Sequence, residues 1–419
     1  MAQNLHRRQI LGGHMKKLER LIGFFERLYD DISFVARIEF KNIFNDKGVM
    51  AVFFGAMLLY PLLYAYTYSK EVVKEIPVAV VDQSHSAMSR QLIRMLNQTE
   101  QVKVVEHLTG LEEAEKEFYY GRIRGIMLIP SDFEKKILRG EQTTVSAYCD
   151  ASYFMLYKQV YKGVVLAAGT MSAGVEIKRL EAKGLSESAA KNFRDPVPCI
   201  NYPLFSPAGG YASYAMPAIF LVLLQQTLMM GIGILGGTAL ERGSYRYLIS
   251  KEIHSRGVLA ILIGKLTPYF VLYSIHGIYL FGILFKIFGY SQRGNIISLA
   301  YFLFTYLLSV MAMGFAITPF FKHRETAIAT IMSMSLPFVL SARFSWPSES
   351  IPAVIKFLAA FVPSTSGISG FLKITQMGAS IQGVRGDLAT LWGLVALYGT
   401  FSMIMIWRIL GHHRRRPML

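Results

Sequence analysis

Long uncharged runs dominate the pattern of this chain. Between Asp195 and Glu241 lie 45 consecutive residues without a charge, and further charge-poor stretches sit on either side of a polar block. A helix needs roughly 20 apolar residues to cross a bilayer core, and six segments qualify: 48–69, 211–240, 257–285, 296–321, 326–342 and 388–407. The expectation is a polytopic α-helical membrane protein with six transmembrane helices. An α/β domain on the outer side, residues 70–210, is inserted between the first and second. Residues 1–47 form an N-terminal segment, 211–410 carry helices two to six with a short loop at 241–256, and 411–419 are a basic tail.

Within the polar block the period changes from helical to alternating and back. The β-branched run IPVAVVD (76–82) predicts a strand, and Asp-Gln-Ser-His-Ser after it supplies caps for a helix through 89–97. A strand at 102–106, a helix at 110–120 with acids in its first turn, and a strand at 125–130 follow. Ser131 and Glu134 have the spacing of a capping box for another helix, which Gly140 ends before a fourth strand at 143–149. Strands alternating with helices predict crossover connections rather than hairpins. From Tyr153 apolar residues at 153, 157, 160, 161, 164, 165, 168 and 171 form a helical stripe. Such a helix either packs on the sheet or runs back toward the membrane.

On the other side the pieces are short. Leu18, Leu21, Ile22, Phe25, Leu28 and Ile32 recur every three or four residues with Lys and Arg between them, as in a helix lying at a membrane interface. The 241–256 loop is amphipathic and too small for a domain. Its Glu241, Arg242, Tyr245, Arg246 and Leu248 make a candidate docking surface for a partner, against the plainer reading of a solvated turn.

Charge then orients the chain. The net charge of +16 is not gathered into one stripe, which argues against nucleic acid as a partner, and follows topology instead. Lys and Arg number nine up to Lys47, four in 241–256, two in 322–324 and four from Arg408 onward. The opposite short loops carry six: Lys286, Arg293, Arg343, Lys356, Lys373 and Arg385. By the positive-inside rule both termini are cytoplasmic. The first 47 residues hold no apolar core with a small-residue cleavage site, so the first span is expected to be an uncleaved anchor.

Candidate chemistry is sparse. Gly264-Lys265 lacks the upstream glycine and following Ser or Thr of a phosphate-cradling loop, no Gly-x-Ser-x-Gly elbow is present, and the histidines show no metal spacing beyond His412-His413 in the basic tail. No catalytic or metal residue is therefore expected. Ionisable and polar residues inside spans invite functional readings. Gln225, Gln226 and His276 are candidates for a translocation path, with ordinary hydrogen-bonded packing as the alternative. Lys265, near the cytoplasmic end of its span, is expected to snorkel as an anchor. Gly233 and Gly237, flanked by Gly231 and Gly236, are spaced for close helix packing. The two cysteines, Cys149 and Cys199, both fall in the outer block, where a disulfide persists if their geometry permits one.

Three runs together, IPVAVVDQSHSAMSRQLIRML, GRIRGIMLIPSDFEKKILRGEQTTVSAYCDAS and ERGSYRYLISKEIHSRGVLAILIGKLTPY, resemble the permease subunit of ABC exporters of the ABC-2 type. The closer similarity is to multidrug-type permeases with a large external domain. RIEFKNIFNDKGVM resembles their cytoplasmic entry, and FSWPSESIP with FVPSTSGISGFLKI their external segment before the last span. The family loop reads close to Arg-Glu-x-Glu-x-Gly-Thr, of which Glu241-Arg242-Gly243-Ser244 remains here. The resemblance implies a bacterial inner-membrane dimer, homo- or heterodimeric. Separate ATPase subunits would bind ATP and magnesium and push on the 241–256 loop and the N-terminal helix. The resemblance also admits a periplasmic adaptor in such an assembly, and implies drug-like molecules, lipids or other amphiphiles as its substrate classes. A membrane-anchored receptor or attachment protein, and an ion-driven secondary transporter, are the alternatives. Six spans exceed what an anchor needs, and the spans as drawn hold no Asp or Glu for ion coupling.

The orientation has a direct check. Single cysteines placed in intact cells should react with a membrane-impermeant reagent at Ser186 and not at Ser244. Labelling at Ser244 reverses the topology.

Overall fold

The computed structural model describes residues 2–205, 210–242, 257–321, 323–341, 346 and 348–414. The chain divides into two compact units, Met1–Ser69 with Leu204–Leu419, and Lys70–Pro203.

The polar unit is a four-stranded sheet in the order β2-β1-β3-β4, with β1 at Ile76–Asp82, β2 at Val102–Leu108, β3 at Gly125–Ile129 and β4 at Ser146–Cys149. β1 pairs in parallel with β2 on one side and β3 on the other, through crossover helices at Ala87–Asn97 and Leu111–Tyr119. β4 departs from the expected crossovers and runs antiparallel to β3, Gly125 opposite Cys149. The helix between them, Phe133–Arg139, rises only about 10 Å before Gly140 ends it in the left-handed conformation (φ 83°). The chain therefore enters β4 from the end where β3 stops. The capping box expected from Ser131 does not form: Asp132 stands at the N-cap with its carboxylate paired to Lys136 rather than to a helix amide, and Glu134 accepts instead from the Met88 amide. The true box is Ser86 with Ser89, whose hydroxyl also donates to Asp82.

The long helix Phe154–Ala182 lies on the sheet. It buries Val160, Gly163, Val164, Ala167 and Met171 in a core shared with Val78, Val102 and Met127, leaving Tyr157, Tyr161 and Val165 outside. Gly125 makes room for it, since a β-carbon there would sit 2.5 Å from Val160 Cγ1.

Among the described residues, five helices of the other unit are long and apolar enough to cross a membrane: Lys47–Thr67, Ala212–Glu241, Val258–Phe288, Ile296–Phe320 and Ile381–Arg408. They answer five of the six expected spans. The sixth, 326–342, is divided among the described residues into Arg324–Ser333 and Ser335–Ser341. Pro337 explains the break, because it has no N–H to return to the Ser333 carbonyl. A further pair, Ala353–Ala359 and Pro363–Thr375, meets the same apolar criteria but bends by 87° at its break, as a broken span or a re-entrant loop does. Pro363 starts its second arm.

The N-terminal helix is continuous from Ala2 to Asn45. Its last turns pack on the third span, where a β-carbon at Gly264 would lie 2.8 Å from Val35 Cβ and 2.9 Å from the Ile32 carbonyl. Only glycine permits that approach. Asp46 then caps the first span by accepting from the Gly48 and Val49 amides.

Candidate functional site

One face of the N-terminal helix is unusual in its chemistry. Asp31, Val35, Glu39 and Ile43, four residues apart and so on one side of the helix, are all buried. Of the apolar stripe expected to lie at a membrane interface, Phe25 is 61% exposed, and Leu18, Leu21 and Ile22 lie outside the residues whose side chains are described. Glu39 receives two bonds: Lys265 Nζ donates to Oε2 at 2.9 Å and Tyr269 OH donates to Oε1 at 2.9 Å. Lys265 and Tyr269 are one turn apart on the third span, which is why one carboxylate meets both. Lys265 is 8% exposed, so it is a buried ion-pair partner rather than a snorkelling anchor. A carboxylate within reach outcompetes a long route to water once Gly264 has brought the helices together.

The neighbouring ends are also tied. Arg324 donates to both carboxylate oxygens of Asp46, at 3.2 and 3.4 Å, joining the start of the first span to the turn after the fourth. Glu241 at the end of the second span meets His323 Nδ1 at 2.8 Å. The small face of the second span makes these contacts possible. A β-carbon at Gly237 would lie 2.9 Å from the His323 backbone, one at Gly233 3.0 Å from Ala327 Cβ, one at Gly236 1.9 Å from Thr318 Cγ2 and one at Gly231 2.0 Å from the Phe53 ring. The predicted packing glycines thus each receive an element of the same chain. Among these ends lies a cavity of about 590 Å³, lined by residues that include Glu39, Asp46, Lys47, Arg242, Lys265 and Arg324.

Of the expected docking residues, Glu241 and Arg242 close the second span and are exposed. Tyr245, Arg246 and Leu248 lie outside the described residues. The expected path residues are separated by their partners. Gln225 Oε1 accepts from the Ser364 amide at 2.9 Å and its Nε2 approaches Ser364 Oγ at 3.3 Å, so this side chain caps the second arm of the bent pair. His276 sits against Phe54 and Tyr273, with ring centroids 5.9 and 5.1 Å away. Gln226 is buried with its amide nitrogen unbonded among the described residues. None of the three lines the cavity between the span ends.

The cysteines are both free, a correction to the disulfide reading. Cys149 is half-buried in β4 against the sheet core, and burial pushes its thiol pKa up; Cys199 is exposed in the irregular stretch after the helix Glu187–Arg194.

Glu39, Asp46, Tyr269 and Arg324 did not enter the sequence reading. Glu39 carried a detectable signal, since it repeats at four-residue spacing with Asp31, Val35 and Ile43, but a stripe holding two acids does not register as apolar.

Comparison with known proteins follows the same lines. The family model described as "ABC-2 family transporter protein" matches residues 47–404. The linearmycin resistance permease protein LnrN of Bacillus subtilis (strain 168) is 24% identical over 388 residues, covering 87% of this chain and 96% of that protein. The probable multidrug ABC transporter permease YbhS of Escherichia coli (strain K12) is 23% identical over 252 residues, covering 59% of this chain and 63% of that protein.

The buried pair gives a stability prediction. Glu39→Ala removes the carboxylate from a buried ammonium and is expected to cost about 3–5 kcal/mol, whereas Glu39→Leu combined with Lys265→Met, which removes both charges, should recover most of that loss. Thermal unfolding of the purified chain checks the cycle. A Glu39→Ala protein as stable as the parent shows that the pair is not buried in solution.

Proposed function

Because the chain belongs to the ABC-2 family of transporters, we propose that it is the membrane-spanning permease subunit of an ATP-binding cassette exporter, moving a drug-like molecule, lipid or other amphiphile outward across the cytoplasmic membrane. Permeases of this family work with a separate ATP-binding subunit, and that partner would hold ATP and magnesium. The distribution of Lys and Arg supports cytoplasmic termini, and in that orientation residues 70–210 lie outside as an exit-path element or adaptor contact. A second permease subunit completes the pathway.

The observation that carries the mechanism is the convergence of separate segments at one end of the helical unit. Glu39 is bonded to Lys265 and Tyr269, Asp46 to Arg324, and Glu241 to His323. The N-terminal helix, the start of the first span, the end of the second and the turn after the fourth are thereby linked. A push on the 241–256 loop or on the N-terminal helix reaches these linked elements rather than a single span. Halfway along the second span Gln225 holds the start of the Pro363–Thr375 arm, and at the far end the Ser213 carbonyl accepts from Gln376 just after that arm, whose Gly367 and Gly370 fit against Tyr306 and Phe302 of the fourth span. Movement of the second span is therefore transmitted to the bent pair, which serves as the outer gate. The carriers of substrate contact are assigned to Gln225, Gln226 and His276 only as residues on the elements that move.

The loop is the docking element in this reading. Burying Leu248 and Tyr245 in a groove of the ATPase would contribute on the order of 2 kcal/mol each, with Glu241, Arg242 and Arg246 setting orientation at the rim. Leu248→Asp should leave insertion and folding intact and reduce ATP hydrolysis by the reconstituted complex to that of the ATPase subunit alone. Glu241→Ala with Arg242→Ala should act in the same direction. Full hydrolysis coupled to transport in the Leu248→Asp complex refutes docking at this loop.

A further inference from the structure

The cavity among the span ends is lined by four cations, Lys47, Arg242, Lys265 and Arg324, against two carboxylates, Glu39 and Asp46, a net of two positive charges. Lys265 and Arg324 are the two held by those carboxylates. Lys47 and Arg242 are exposed and have no ion pair among the described residues. The Thr238 hydroxyl, also on the lining, is buried without a hydrogen-bond partner among the described residues. The rest of the wall is mixed, with Asn42, Asn45, Thr318 and Ser402 beside an apolar portion made by Ile232, Leu235, Phe315, Met405 and Ile406.

The level of these residues matters as much as their charge. Lys47 begins the first span, Arg242 follows the last residue of the second, Thr318 and Pro319 close the fourth, and Ile406 is near the end of the last. Cations at the mouth and aliphatic walls behind them therefore coincide with the depth at which headgroups give way to acyl chains. A soluble anion would use the cations and leave the apolar wall wet. A phospholipid uses both.

We propose that this cavity binds the phosphate headgroup of an anionic phospholipid from the cytoplasmic leaflet, with Lys47 and Arg242 on the phosphate, Thr238 donating a hydrogen bond, and the acyl chains against Ile232, Leu235 and Phe315. The leaflet, though not the binding, rests on the orientation proposed above. The site lies against the Glu39–Lys265 pair and the Asp46–Arg324 pair, so the bound lipid stabilises the same linked ends that transmit the ATPase's push.

The delipidated full chain in neutral detergent, titrated with phosphatidylglycerol, phosphatidylcholine or inorganic phosphate and followed by thermal unfolding, tests the site. Phosphatidylglycerol should stabilise the chain saturably, and the other two should not. Lys47→Gln with Arg242→Gln, both exposed positions, should weaken that response about tenfold or more, and Thr238→Val should weaken it severalfold without altering the unliganded transition. Equal stabilisation by phosphatidylcholine shows lipid solvation without headgroup recognition, and stabilisation by phosphate alone shows a soluble-anion site; either overturns the proposal. So does an undiminished response in the double variant, or loss of the response when the ATPase subunit is bound, which would make a carboxylate of that subunit the occupant. Because the titration needs neither transport nor a sealed membrane, its failure leaves the exporter reading standing, and failure of transport leaves the lipid site standing.

Discussion

A carboxylate buried between an ammonium and a phenol fixes how the helical unit goes together. Glu39 is 3% exposed, and taking such a charge out of water costs several kcal/mol, which a single hydrogen bond does not return. Lys265 and Tyr269 both have to be present, on one face of the third span, within reach of one side chain. That demand fixes the rotation and register of the N-terminal helix against the span, and Gly264 is what lets the two backbones approach closely enough to meet it.

From that link the other contacts follow in order. The register of the N-terminal helix places Asp46 where it caps the first span and receives Arg324, and Arg324 sits one residue after His323, the partner of Glu241. The second span is the common neighbour. Four glycines on its last three turns admit three elements, Gly231 the first span, Gly236 the fourth span and Gly233 with Gly237 the start of the helix Arg324–Ser333, so its end is gripped by all three at once. At its middle Gln225 takes the amide at the start of the Pro363–Thr375 arm, and near its other end the Ser213 carbonyl accepts from Gln376, the residue after that arm. A single helix thus touches the region next to the docking loop at one end and the bent pair at the other, the arrangement a lever between an ATPase and an outer gate requires.

The features legible in the sequence are those that depend on local composition. Uncharged runs located five spans because membrane length and hydropathy are properties of a single segment, and β-branched runs located the strands for the same reason. The ABC-2 family was legible from the combination of its motifs. What failed depended on partners or on a single backbone bond. The 326–342 segment is apolar enough on average, yet Pro337 divides it. β4 has strand character, but its direction is set by the short helix and Gly140 before it. Lys265 reads as an anchor until Glu39, more than two hundred residues earlier, is placed beside it. Gln225 reads as a polar path residue until Ser364 supplies it with an amide. Periodicity tools look for apolar stripes, and the stripe that matters in the N-terminal helix contains Asp31 and Glu39.

The account stands on the N-terminal helix and the third span moving as one body during the ATP cycle. Spin labels at Lys41 and Ile278, both exposed and on either side of the Glu39–Lys265 contact, report that relation by double electron–electron resonance in the complex reconstituted with its ATPase. The Lys41–Ile278 distance distribution should be the same in the nucleotide-free complex and in one trapped with ATP, while hydrolysis by the labelled complex stays at the parental rate. A distance that shifts or splits on trapping would show that the two helices separate during the cycle, and the buried pair would then be a contact of one state and not the link through which the permease is driven.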